Sequence, residues 1–301
     1  MKSYQRKWIV LFLSPALILS FIFTLLPAIT LLSYSLFDWK SFSQGKFIGL
    51  SNFNRLIHYP NVEQFKIAFL NNLKIFLLTF SLQTALALLI SYAIYRLHRG
   101  QRFFQVVTFF PVILSLVVVA FMWKMFLDPL FGPVNNLFTA IGIESWAKPW
   151  LGDPKLAMPI LILIGIWKSV GFSTIVFLAG LNGISEDYLE AARIDGANER
   201  QIYFRVIFPL LAPAFTIVTI LVFIGSFEWF ELPYVIGGVT GQPGGSTTTL
   251  ALLFYRLAFG TIDAGISDIG LSSAVGVILF IFVGVGAAFG AVYLQRREIE
   301  S

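Results

Sequence analysis

The chain has no cysteine and only two histidines, His58 and His98, in 301 residues. Without cysteine there is no disulfide framework and no thiolate chemistry on either side of a membrane. The histidines stand apart with no acidic partner at ligand spacing, so no metal centre is expected. Charge is scarce too. Asp, Glu, Lys and Arg make up 12% of the residues, where a soluble domain carries about 25%. So little polar surface cannot cover a water-facing globule. With 57% hydrophobic residues and a mean hydropathy of +0.81, the natural solvent is lipid. The formal net charge of +5 then suits basic residues gathered at cytoplasmic helix ends rather than a nucleic-acid partner.

Crossing the hydrocarbon takes about 20 mostly apolar residues. Six stretches qualify: Trp8–Leu32, Leu70–Tyr95, Phe104–Phe126, Met158–Leu181, Pro213–Phe230 and Leu271–Leu294. The expected fold is all-α, one transmembrane domain over residues 1–301 with six spans. Pro15, Pro27 and Pro111 predict kinks that a helix bundle tolerates. Lys2, Arg6 and Lys7 ahead of the first span also fit a signal peptide. That apolar run is longer than a signal core, however, and no small-residue cleavage site follows it, so it reads as an uncleaved helix.

Lys2, Arg6, Lys7, Arg96, Arg99, Arg102, Arg193, Arg200, Arg205, Arg296 and Arg297 fall on one side of this arrangement. The opposite loops are longer yet hold only Lys40, Lys46, Arg55, Lys66, Lys148, Lys155 and Arg256. Positive charge stays inside, which predicts that both termini are cytoplasmic. The external loops, 33–69, 127–157 and 231–270, are rich in Gly, Pro, Asn and aromatics, and Trp39, Trp146 and Trp150 suit the membrane boundary. Loops of that length serve as lids or docking surfaces. No internal repeat stands out, unlike many secondary transporters.

The loop over residues 182–209 reads as two short helices around a turn. Ser185 is an N-cap, Glu186 and Asp187 complement the first-turn dipole, Gly196 suits a left-handed stop, and Asn198 caps a second helix ending near Pro209. Tyr188, Leu189 and Ile194 are expected on its exposed face, a surface shaped to enter a partner's groove. Glu190-Ala191-Ala192, three residues, Gly196, nine residues, then Val206-Ile207-Phe208-Pro209 resembles the EAA loop of binding-protein-dependent ABC importer permeases. Val206 and Phe208 depart mildly from that family's aliphatic pair. The resemblance implies a type I importer permease fold in which this loop is a coupling helix docked on an ATPase. It assigns Leu189, Glu190, Ala191, Ala192, Asp195 and Gly196 to that contact.

Further segments resemble the carbohydrate branch of these permeases: Pro27 to Trp39, Phe47-Ile-Gly-Leu-Ser-Asn-Phe53, Gly132-Pro-Val-Asn135-Asn136 and Gly237 to Thr249. The Gly-Leu-Ser-Asn-Phe segment is similar to the first permease of a sugar-importer pair. The resemblance therefore implies a bacterial inner-membrane subunit with several partners: a second permease, two ATP-binding-cassette ATPases that bind ATP and Mg, an extracytoplasmic binding protein, and a carbohydrate substrate. No cofactor and no catalytic residue are expected in this chain.

Ionisable residues inside spans are functional candidates. Lys168 and Glu228 fall in the outer half of spans four and five, where they could pair or contact substrate. Ser169 and Phe172 share a helical face with Gly165, and Phe227 and Trp229 flank Glu228. Hydroxyls and aromatic faces together suit a sugar, so Lys168, Ser169, Phe172, Phe227, Glu228 and Trp229 are the candidate substrate residues. Gln83 reads as an interhelical hydrogen bond. Three rivals remain: an importer for another solute, an ion-coupled secondary transporter, and a membrane enzyme. The last needs a nucleophile–base set that these spans lack.

Overall fold

In lipid every backbone N–H and C=O must be bonded within its own segment, so long apolar runs become helices. The computed structural model describes residues 2–40, 45–58, 60–97, 99–260 and 267–295. His98, Arg296, Arg297 and the side chains of Lys2, Arg6 and Lys7 lie outside the described residues. Among the described residues, five helical stretches are long and apolar enough to cross a membrane: Trp8–Tyr34, Asn61–Tyr95, Ala157–Asn182, Ala212–Gly237 and Ile269–Leu294. The sixth expected span is two helices, Gln101–Ile113 and Leu116–Phe126, bent by 92°. The expected kink at Pro111 is therefore a turn placed three residues later. Leu114 and Ser115 take extended ψ values of 138° and 137°, while the arm holding Pro111 stays helical through Ile113.

The second span starts nine residues before its apolar run. Its polar first turn holds Glu63, whose carboxylate complements the helix dipole. A π-helical turn, Thr79–Gln83, interrupts it. Such turns re-aim side chains and gather at functional sites. The fifth span is also jointed: helix Ala212–Phe227 stops at Glu228, and a second helix runs over Glu231–Gly237.

The chain gathers into two compact units, Met1–Phe65 with Leu253–Phe280 and Lys66–Leu252 with Ile281–Ser301. Within the first, Asn52 is fully buried and its amide donates to the carbonyls of Ser35 and Phe37 at 2.9 Å each. Arg55 pairs with Asp268, whose other oxygen accepts the Leu271 N–H. Gly270 lets the Phe37 carbonyl approach; a Cβ there would sit 2.2 Å from that oxygen. The most apolar window of the first span has no buried residue, so its surface is left for lipid or another subunit.

The second unit carries the bundle core. Ile75, Val119, Leu161, Ile162 and Leu232 form one apolar cluster, and Ala87, Phe177, Ala214 and Val218 form another. Fully burying a side chain of this size contributes about 1.5–3 kcal/mol. Gly171 allows the bent third span to lie against the fourth, since a Cβ at that position would meet the Thr108 carbonyl oxygen at 2.2 Å.

Candidate functional site

The fourth span organises the site. Its helical period puts Gly165, Lys168, Ser169 and Phe172 on one face, and all four line a cavity of about 560 Å³ within the second unit. Volumes of roughly 300–1,000 Å³ are typical of small-molecule sites. Glu228 and Trp229, at the joint of the fifth span, line it as well. Five of the six expected substrate residues thus meet in one place. Phe227 does not. It is fully buried, with its ring centroid 4.9 Å from Phe282 and 5.2 Å from Phe223, because the helix turns it into the core one residue before the joint.

The polar wall comes from the π-helical turn. Gln83 Nε2 donates to Ser173 Oγ at 2.8 Å, and Ser169 Oγ lies 2.7 Å from Gln83 Oε1. The carbonyl of Gly165, at 2.6 Å, is a second acceptor for the Ser169 hydroxyl. Gln83 is therefore both the interhelical bond expected of it and part of the cavity lining. Thr79 also lines the cavity; its buried hydroxyl has no hydrogen-bond partner among the described residues. The sequence reading missed Thr79, although its place four residues before Gln83 on the same face was an available signal.

Opposite stand the aromatics. Gly165 lets the Trp229 indole lie flush on the helix: a Cβ there would be 2.4 Å from the ring. The Trp229 carbonyl, freed by the joint, accepts from Thr249 Oγ1 at 2.6 Å. Lys168 makes no ion pair with Glu228. Its Nζ donates to the Val112 carbonyl at 3.1 Å, one of the orphan acceptors that the bend leaves at the end of helix Gln101–Ile113. The 92° turn brings that acceptor within reach, and no local marker beyond Pro111 announces it.

The loop over 182–209 forms the expected hairpin. Ser185 accepts from the Asp187 N–H to cap helix Glu186–Ile194. Gly196 stops it at φ +80°, with its N–H bonded to Arg193 and that of Ala197 to Ala192, at 3.0 Å each. This is the pairing of a Schellman cap. Asn198 and Gln201 form a reciprocal capping box for helix Glu199–Ile202, and a π-helical turn, Tyr203–Ile207, follows.

One expectation about the hairpin is corrected. Leu189 is 6% exposed and packs with Leu181, Ile202, Ile207 and Leu211, so it anchors the hairpin to its own spans instead of facing a partner. Ile194 is 86% exposed and Tyr188 48%. Glu190, Ala191, Asp195 and Gly196 are exposed, while Ala192 is half-buried against the same cluster. Glu190 and Arg193 line a second cavity of about 650 Å³, beside which Arg96, at the end of the second span, pairs with Glu199. Burial, and then the adjacent Tyr92, raises the pKa of the Tyr203 phenol. It stays an uncharged packing group.

The sequence profile of binding-protein-dependent transport system inner membrane components matches residues 83–300. The probable ABC transporter permease protein YurN of Bacillus subtilis (strain 168) is 32% identical over 274 residues, covering 90% of each chain. The trehalose/maltose transport system permease protein MalF of Thermococcus litoralis is 28% identical, over 98% of this chain and 95% of that one. Among solved structures, a chain of a bacterial alginate ABC transporter, in complex with an alginate pentasaccharide-bound periplasmic protein, matches with a TM-score of 0.84 and 25% identity. The match covers 98% of this chain and 96% of the other. The profile and the shared course of the helices make this chain a member of the binding-protein-dependent transport system inner membrane components, a multi-pass permease of the type I ABC importer fold and not an enzyme.

Proposed function

We propose that this permease carries a sugar or short oligosaccharide into the cytoplasm, by alternating access, through the cavity on its fourth span. The observation that carries the reading is the pairing of a hydroxyl-and-amide wall, Gln83, Ser169 and Ser173, with the aromatic faces of Phe172 and Trp229. The amide and hydroxyls match sugar hydroxyls, and the rings match sugar C–H faces. Two relatives described by carbohydrate names, trehalose/maltose and alginate, support the same class.

The chain works with a second permease, two ATPase subunits that bind ATP and Mg, and an extracytoplasmic binding protein; it needs no cofactor of its own. Both termini and the hairpin face the bacterial cytoplasm, in keeping with the basic residues of that side. The exposed hairpin face, Tyr188, Glu190, Ala191, Ile194, Asp195 and Gly196, docks on an ATPase. Closure of the ATPases moves the hairpin as a rigid body and reorients the cavity.

The test is ATPase stimulation and uptake by the reconstituted complex across panels of oligosaccharides, amino acids and peptides. Stimulation by saccharides supports the assignment. Stimulation confined to a non-sugar solute overturns the sugar assignment and leaves the permease.

A further inference from the structure

Three ionisable side chains line the cavity among the described residues, Lys168, Glu228 and Glu231, a formal excess of one negative charge. Lys168, the single cation among them, uses one of its three donors within the protein. Lys168 Nζ bonds the Val112 carbonyl in the last turn of helix Gln101–Ile113, where the helix dipole is negative. Glu228 and Glu231 are exposed at the lining and form no ion pair among the described residues. The remaining polar groups are uncharged, among them Gln83, Ser169, Ser173, Ser226 and the buried Thr79 hydroxyl, which still needs a partner.

On the sugar-importer reading, we propose that the cavity accepts uncharged saccharides and rejects uronates, with Glu228 and Glu231 as the residues that discriminate. A neutral saccharide offers hydroxyls to Thr79, Gln83 and Ser169 and leaves both carboxylates hydrated or hydrogen-bonded. A uronate brings its carboxylate beside two others, which already outnumber the one cation. Specificity then comes from a repulsive element as much as from attraction. The alginate transporter with which this chain shares its fold handles an acidic polysaccharide. Selection against uronates here would rest on the lining residues and not on the shared fold.

The test uses the complete permease–ATPase complex in nanodiscs, without binding protein, so that the cavity's own preference is read. Radiolabelled maltotriose, cellotriose and mannotriose are compared with trigalacturonate and trimannuronate by equilibrium binding at low salt. At least one neutral trisaccharide is expected to bind about tenfold or more tightly than either uronate. Glu228→Gln with Glu231→Gln should narrow that gap about fivefold by raising the affinity for the uronates. If the double variant does not assemble, the two single variants are read in the same way. Uronate binding equal to or tighter than that of every neutral sugar, and lost in Lys168→Met, overturns the charge selection and leaves the sugar reading standing. If no saccharide binds an intact, ATP-hydrolysing complex, both fall.

Discussion

The Asn72 side-chain amide donates to the Ser226 carbonyl at 2.7 Å, and its oxygen accepts the Leu250 N–H at 2.8 Å. One fully buried residue on the second span thus ties the end of helix Ala212–Phe227 to the start of helix Leu250–Phe259. Between the two anchor points lie the joint that presents Glu228 and Trp229 and the glycine-rich loop behind it.

Asn72→Ala should therefore do more than remove one contact. It leaves a buried carbonyl and a buried N–H unpaired, each costing about 1–3 kcal/mol. We expect a lower thermal unfolding midpoint in detergent and a loss of transport. Asn72→Asp keeps the acceptor for Leu250 and should be less harmful if its carboxyl is protonated. Equal stability of Asn72→Ala and the wild type would remove this anchor from the account.

Two glycines on the fourth span separate packing from function. Gly171→Ala drives a Cβ against the Thr108 backbone oxygen, an overpacking that costs about 1–3 kcal/mol or more, and should reduce the yield of folded protein. Gly165→Ala meets only the Trp229 ring. Its expected effect is a higher KM for uptake with near-normal stability, read alongside a shift in tryptophan fluorescence.

The hairpin allows the same separation. Leu189→Ala empties a buried position, a change that costs about 2–5 kcal/mol in a core, and should loosen the hairpin from its spans. Ile194→Ser touches nothing buried, since Ile194 is 86% exposed. It should leave stability unchanged while reducing substrate-stimulated ATPase activity and the co-purification of ATPase subunits. Gly196→Asp places a residue that can adopt the left-handed conformation but adds a charge to the exposed hairpin face, and should abolish uptake while membrane insertion persists.

Acid should open the turn that Asp128 holds. Backbone N–H donors, that of Phe131 foremost and then that of Leu130, hold its carboxyl below the usual carboxylate range. A pKa lowered on folding contributes stability that is present above the unfolded value and is lost as pH falls through the folded one. The turn over 128–131 should hold at neutral pH and open in acid. The measurement is amide exchange at Leu130 and Phe131 against Asp128→Asn at each pH. The two proteins should diverge at neutral pH and converge in acid; a constant difference across the range would contradict the assignment.

Parts of this architecture are legible in the sequence. The spans follow from runs of apolar residues that have no other stable state in lipid. The hairpin follows from local chemistry, because Ser185, Gly196 and Asn198 act on backbone groups within three residues or on their own φ. The substrate face was partly legible, since Gly165, Lys168, Ser169 and Phe172 share one side by period alone.

What the residues determined without help is wherever the deciding partner is lipid or a neighbour within a turn: the apolar helical runs, the caps of the hairpin and the family motif. Tertiary structure decided the rest. Leu189 and Ile194 are both apolar residues on one short helix, and only packing against Leu181 and Leu211 sends Leu189 inward. Lys168 finds Val112 and not Glu228 because a 92° turn presents a free carbonyl. Phe227 and Trp229 stand two residues apart, yet the joint between them puts one ring in the core and the other in the cavity. Each outcome depends on a partner distant in sequence, whose position a linear pattern does not encode.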